Sequence, residues 1–116
     1  MTELVVKRIY EPVSDNDGQR VLVDRLWPRG MKKEKAHLDL WLKDVAPSDD
    51  LRHWFGHDPE RWVEFQKRYR AELDDRQEAL AELRALMGKG KVTLLYSAHD
   101  EAHNNAVVLA AYLRET

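Results

Sequence analysis

KVTLLYSAHDEAHNNAVVLAAYL, residues 91–113, is the stretch on which the fold turns. Lys91 to Tyr96 is an apolar run of strand length, rich in β-branched and aromatic residues, as a buried strand requires. Ser97 to Glu101 is a polar loop. His103 to Leu113 then reads as a helix, and its part from Ala106 to Leu113 is apolar nearly all round. A helix without a polar face needs cover on both sides, a sheet on one and another element on the other. Buried strand, polar loop and buried helix in that order are the signature of an α/β domain.

Working outward, Leu4 to Tyr10 (LVVKRIY) reads as a first strand, and Ser14 to Gln19 (SDNDGQ) is a cluster of turn formers. Arg20 to Trp27 (RVLVDRLW) reads as a second, central strand, stopped by Pro28 and Gly30. Met31 to Ala36 is a loop or a single helical turn. Leu38 to Val45 alternates apolar and polar residues and reads as a short strand, with a helical turn as the alternative. Ser48 suits the N-cap of a helix over Asp49 to Phe55, closed by Gly56. Asp58 caps the next helix, with Pro59 in its first position. Trp62, Phe65, Tyr69 and Leu73 fall on one face of that helix. Asp74 and Asp75 break it and cap another, whose stripe is Leu80, Leu83 and Met87, closed by Gly88 and Gly90. The expectation is a compact three-layer sandwich in the α/β class. A small, mainly parallel sheet of about three or four strands is flanked by helices, with the strand order open.

The chain has 116 residues, the size of one domain, and residues 1–116 are expected to form a single domain. Nineteen Lys and Arg face 21 Asp and Glu, a net charge of −2, against the basic balance of a dedicated nucleic-acid binder. There is no cysteine, which removes disulfides, thiolate metal sites and a cysteine nucleophile. Met1 to Tyr10 holds no apolar run suited to a signal peptide, and no stretch approaches the roughly 20 apolar residues of a membrane span. A complete, cytoplasmic chain that does not enter the membrane is expected.

Two loops carry candidate chemistry. Asp24-Arg25-Leu26-Trp27-Pro28-Arg29-Gly30 leaves the second strand, and ligands of open α/β sheets bind beyond the carboxyl ends of strands. Arginine's planar fork matches phosphate or carboxylate, and Gly30 suits a close backbone approach or a positive φ. The plainer reading is an Asp24–Arg25 pair, Trp27 packed on the sheet and Gly30 in a turn. The second loop, Tyr96 to Asn105, is a strand-to-helix junction of the kind that presents free backbone N–H groups to an anion. Ser97, Asp100, His103 and Asn104 add side chains there, although capping alone explains much of that composition. Lys43 and Arg52 could reach the same sheet edge, whereas Trp54, Phe55, Trp62, Phe65 and Tyr69 read as packing material. Trp54 and Phe55 carry the smaller chance of a partner-binding patch.

Other chemistries lack their signatures. His99 and His103, like His53 and His57, are four apart, but Asp100 stands where a zincin has its Glu, and Gly56 interrupts the second pair. No metal is expected. Residues 100–103 spell DEAH without any phosphate-binding loop. Gly88-Lys89-Gly90-Lys91 lies between helix and strand, the reverse of a P-loop. No GxSxG elbow surrounds Ser97, and no glycine-rich loop implies a cofactor.

RVLVDRLWPRG (20–30), WLKDVAPSDDLRHWFGHDPERWVEFQKRYRAEL (41–73) and TLLYSAHDEAHNNAVVL (93–109) together resemble the short bacterial YeaO-like branch of the domain-of-unknown-function 488 family. The resemblance spans nearly the whole chain. It implies a compact α/β protein and leaves the biochemical role open. The family's recurring polar positions match here as Arg20, Asp24, Arg25, Arg29, Lys43, Ser48, Arg52, Asp58, Tyr96, Asp100 and Asn104. Longer relatives carry cysteines that this chain lacks, so thiol chemistry does not transfer.

The leading expectation is a site for a small anion, phosphate or carboxylate, at the sheet edge, with catalysis left open. Its residues would be Asp24, Arg25, Arg29, Gly30, Ser97, Asp100, His103 and Asn104. Arg25 and Arg29 would hold the anion, the junction would supply N–H groups, and His103 or Asp100 would be the acid–base group. The alternative is a non-catalytic protein–protein interaction module, homodimeric, using exposed Trp and Phe. A weaker third reading, nucleic-acid binding through Lys32, Lys33, Lys35 and the WPRG loop, would need salt-sensitive affinity.

Overall fold

The computed structural model describes residues 3–115. In chain order the strands are β1 (Leu4–Arg8), β2 (Gln19–Leu22), β3 (Leu40–Trp41) and β4 (Val92–Tyr96). The helices are α1 (Lys33–Ala36), α2 (Asp49–Phe55), α3 (Trp62–Asp74), α4 (Gln77–Met87) and α5 (Asn105–Glu115). One sheet runs in the order β1-β4-β2-β3, and every adjacent pair is parallel. Leu4 pairs with Val92 and Arg8 with Tyr96 on one side of β4; Gln19 pairs with Val92 and Leu22 with Leu95 on the other. Because all four strands point the same way, all their C-terminal ends open on one edge.

Side chains alternate across this sheet as the strand period demands. Val21, Val23, Val92, Leu94 and Tyr96 join the main core with residues of α2 to α5. Leu22 and Leu95 face the other way, onto Ile9 and Ala36, with Trp27 and Trp41 packed edge to face over them at 5.2 Å. The second face is therefore covered by α1 and the WPRG loop, a thinner layer than the helices opposite.

Local signals hold where they are strongest. The Ser48 hydroxyl accepts from the Leu51 N–H at 3.2 Å, and α2 ends at Gly56 with φ +53°. Asp58 accepts from Glu60 N–H at 3.0 Å, and Pro59 opens a 3₁₀ turn that runs into α3. Several boundaries differ from the sequence reading: β1 stops at Arg8 rather than Tyr10, and α5 runs Asn105–Glu115 rather than His103 to Leu113. β2 stops at Leu22 rather than Trp27, because Asp24 turns away to bond across to Ser97. Of Leu38 to Val45 only Leu40–Trp41 is strand, followed by a 3₁₀ turn over Lys43–Val45. The residue before α4 is Arg76, without a side-chain cap, so Asp74 and Asp75 end α3 but do not start α4.

The thinner face also holds a buried ionic network. Asp17 and Arg20 are only 6% and 4% exposed. Asp17 takes Lys7 Nζ at 3.0 Å and Arg20 Nη1 at 2.5 Å, and accepts from Ser14 N–H at 3.1 Å. Arg20 also donates to the Ala36 and His37 carbonyls at 2.8 and 3.2 Å. The network ties β1, the turn before β2 and the end of α1 together.

Candidate functional site

The loops that leave the parallel strands at their common edge enclose a cleft of about 1140 Å³. The two polar loops singled out in the sequence converge on it. Asp24, Arg25, Arg29, Ser97, Asp100, His103 and Asn104 all line it. Gly30 does not; it sits just beyond with φ +76° and serves the turn.

The convergence is stitched by hydrogen bonds between neighbouring strand exits. The Asp24 carboxylate accepts from the Ser97 backbone N–H at 2.9 Å and from its hydroxyl at 2.8 Å. Asn105 Nδ2 donates to the Val23 carbonyl at 3.0 Å. Asp24 and Arg25 do not pair with each other. Arg25 reaches the Pro47 carbonyl at 3.2 Å and lies 3.9 Å from Asp49. Burial pushes the Asp24 carboxyl above its ordinary range; the hydrogen bonds from Ser97 and Asn105 and the nearby His57 offset part of that rise.

A stability prediction follows from this direction. A carboxyl whose folded pKa lies above its unfolded value stabilises most when protonated, and that stability is lost as pH rises through the folded pKa. At neutral pH wild-type Asp24 therefore carries a penalty that Asn avoids. Asp24→Asn is expected to raise Tm at pH 7, with the difference narrowing below the ordinary carboxylate range. A lower Tm at pH 7 would mean that the Ser97 hydrogen bonds to the charged oxygen outweigh its burial.

The strand-to-helix junction uses its own donors. Asp100 accepts from the Ala102 and His103 N–H groups at 2.9 and 3.0 Å, and Asn104 Oδ1 accepts from Val107 N–H at 3.1 Å. Of the junction's backbone donors, those of Ser97, Ala102, His103 and Val107 are thus engaged internally. Asn104 is buried, and its amide donates to the Asp100 carbonyl at 2.9 Å, so both ends serve the cap. His103 keeps one polar ring atom over. Its Nδ1 lies 2.9 Å from Asp100 Oδ2, and its ring packs edge to face on Trp62 at 5.0 Å. The His103 hydrogen bond, with those from the two backbone N–H groups, holds the Asp100 carboxyl below the usual range.

The cleft's cations come from farther afield. Arg8, at the end of β1, donates through Nε to the Ala98 carbonyl at 2.9 Å, sits 3.2 Å from His99 Nδ1 and lies over the Tyr10 ring. The Tyr10 hydroxyl in turn donates to the Arg29 carbonyl at 2.6 Å. Arg52, on α2, donates from Nη2 to Asp49 at 3.2 Å, while its Nε is buried without a hydrogen-bond partner. The Arg29 guanidinium is exposed and has no ion-pair or hydrogen-bond partner among the described residues. Arg8 and Tyr10 were missed in the sequence. The available signal was that they end a strand whose neighbours also end in polar loops.

Other positions resolve as structural. Lys43 lies outside the cleft, its ammonium 4.1 Å from the centre of the Trp41 ring. Arg20 belongs to the ionic network, Ser48 and Asp58 are caps, and Tyr96 is buried. Phe55 is buried and stacks on Phe65 at 4.3 Å; Trp54 is covered by Arg61 and Arg68. The histidine pairs part ways too: His99 meets Arg8 and His103 meets Asp100, and among the described residues no group of three His, Asp or Glu side chains is placed to hold a metal.

The family described as "Inactive DUF488-N3 subclade" matches residues 3–116. The uncharacterized protein Rv3073c of Mycobacterium tuberculosis is 49% identical over 112 residues, which cover 97% of this chain and 94% of the relative. The uncharacterized protein YeaO of Escherichia coli is 44% identical over 108 residues, 93% of this chain and 94% of the relative. No solved structure matches the chain significantly.

Proposed function

The chain belongs to the inactive DUF488-N3 subclade, and we propose that it binds a small anion, phosphate or carboxylate, in the cleft at the C-terminal edge of its sheet. The observation that carries this reading is the charge of the cleft. Arg8, Arg25, Arg29 and Arg52 line it against two carboxylates, Asp24 and Asp100, in a chain whose net charge is −2. Arginine leads the recognition, the Ser97, Ala102, His103 and Val107 N–H groups being engaged within the chain.

The family's description as inactive favours binding without turnover. The chain has no cysteine nucleophile, and the Ser97 hydroxyl is directed to Asp24. His103 and Asp100 then act as a polar wall that orients the ligand. The homodimer reading has less support, because Phe55 and Trp54 are occupied within the chain.

The test is a thermal-shift titration of inorganic phosphate, acetate and citrate against wild type and Arg29→Ala. A ligand at 100 times its Kd adds about 2.7 kcal/mol of stability. The exposed Arg29 side chain contributes little to folding, so the variant should keep its stability to within about 0.5 kcal/mol and lose most of the ligand-induced shift. A flat response of folded wild type to all three anions would end this reading and make sedimentation analysis of self-association the next measurement.

A further inference from the structure

Resting on that reading, we infer that the cleft takes an organic bis-anion: two phosphate or carboxylate groups joined by a short, neutral, hydroxylated segment. The cations are not spread evenly. On one wall Arg8 is anchored to Ala98 and His99, and the Tyr10 ring beneath it holds the Arg29 backbone at 2.6 Å. On the other wall Arg25 is anchored to the Pro47 carbonyl, and Arg25 and Arg52 share Asp49, at 3.9 and 3.2 Å. Among the described residues no hydrogen bond joins one set to the other.

Strand order explains the gap. Arg8 ends β1, Arg25 follows β2, and β4 runs between them. Strands lie about 4.8 Å apart, so the two backbones leave the sheet roughly 10 Å from each other. The middle of the cleft is acidic and polar. Ser97, Asp100 and His103 follow β4, and Asp24 reaches across from the exit of β2 to bond Ser97. A phosphate centred there would face two carboxylates, whereas hydroxyl groups could donate to them. Anions at the two ends and hydroxyls in the middle satisfy the whole lining. A cleft of about 1140 Å³ has ample room for a ligand of that length.

Titration calorimetry at constant ionic strength tests this with four probes: inorganic phosphate, pyrophosphate, glucose 6-phosphate and fructose 1,6-bisphosphate. Joining two anions at the right span makes the second contact intramolecular and multiplies affinity. Fructose 1,6-bisphosphate should therefore bind about tenfold or more tighter than glucose 6-phosphate. Pyrophosphate, equally an anion pair but too short to span, should bind like phosphate. Arg8→Gln and Arg52→Gln should each bring the bisphosphate down to the level of glucose 6-phosphate, while leaving single phosphates a remaining patch. Equal affinity for the two sugar phosphates, or pyrophosphate matching the bisphosphate, overturns the two-ended site and leaves the anion-binding reading standing. Absence of binding by all four probes overturns both. The wild-type comparison across probes stands even if a variant misfolds.

Discussion

Gly18→Ala is expected to destabilise the protein by about 3 kcal/mol or more, among the larger costs a single methyl can impose. Gly18 has φ +65° and ψ −138°, a region open to glycine and closed to L side chains. An added Cβ would also lie 2.3 Å from the Lys91 carbonyl oxygen and 2.9 Å from the Lys91 carbonyl carbon. That carbonyl cannot retreat easily, because it accepts from Gln19 N–H at 3.0 Å, where β2 begins its ladder with β4. Domains of this size are held by about 5–15 kcal/mol in total. Tm should fall by roughly 10–20 °C at this cost. Gly30→Ala is the control: φ is +76°, but nothing lies within 4 Å of the added carbon. Its cost should stay near the roughly 1–2 kcal/mol of a left-handed residue. Urea unfolding of both variants measures the difference. Equal stabilities would mean that the entry to β2 shifts to accommodate the methyl.

Asp17→Asn is expected to lose about 3 kcal/mol at pH 7, because removing one partner of a buried ion pair strands the other. The stranded group is Arg20, at 4% exposure, which would keep its carbonyl partners but lose its counter-charge. The pH dependence tests the cause. Burial alone would raise the Asp17 carboxyl. Hydrogen bonds from Ser14, Lys7 and Arg20, with the Lys7 charge, outweigh it and hold the group below its ordinary value. A depressed folded pKa contributes stability that is fully present above the unfolded carboxylate value and is lost as pH falls through the folded one. The gap between wild type and variant should therefore be widest near neutrality, close below about pH 4 and vanish once wild-type Asp17 is protonated. A second substitution, Arg20→Met, should recover part of the loss by removing the stranded charge. A gap that does not change with pH would assign the cost to packing instead.

Helix α2 was legible residue by residue, β4 to within one residue and α5 to within two at each end. Ser48, the run from Asp49 to Phe55 and Gly56 act within one turn of each other, and Val92–Tyr96 announces its burial by composition. Capping and periodicity are short-range physics, so a sequence window holds all the partners involved. The end of β2 was not legible in this way. Arg20 to Trp27 is strand-like throughout, but the strand ends at Leu22, where Asn105 takes the Val23 carbonyl and Ser97 takes Asp24, partners 82 and 73 residues away.

The candidate site divides along the same line. That polar loops follow two apolar strands was written in the sequence. That they meet depended on all four strands being parallel. Arg8 was overlooked because its meaning comes from Ala98, 90 residues on, which draws it to the cleft. Three of the junction's backbone N–H groups, those of Ala102, His103 and Val107, were taken by Asp100 and Asn104 once the loop closed. By itself, then, the sequence determined the α/β class, most of the helices and the chemical character of the two loops. Those depend on side-chain periodicity and local capping. The tertiary structure alone decided which charges face a common cleft, which are spent on folding, and why Gly18 must be glycine. Those outcomes depend on distances between residues far apart in the chain.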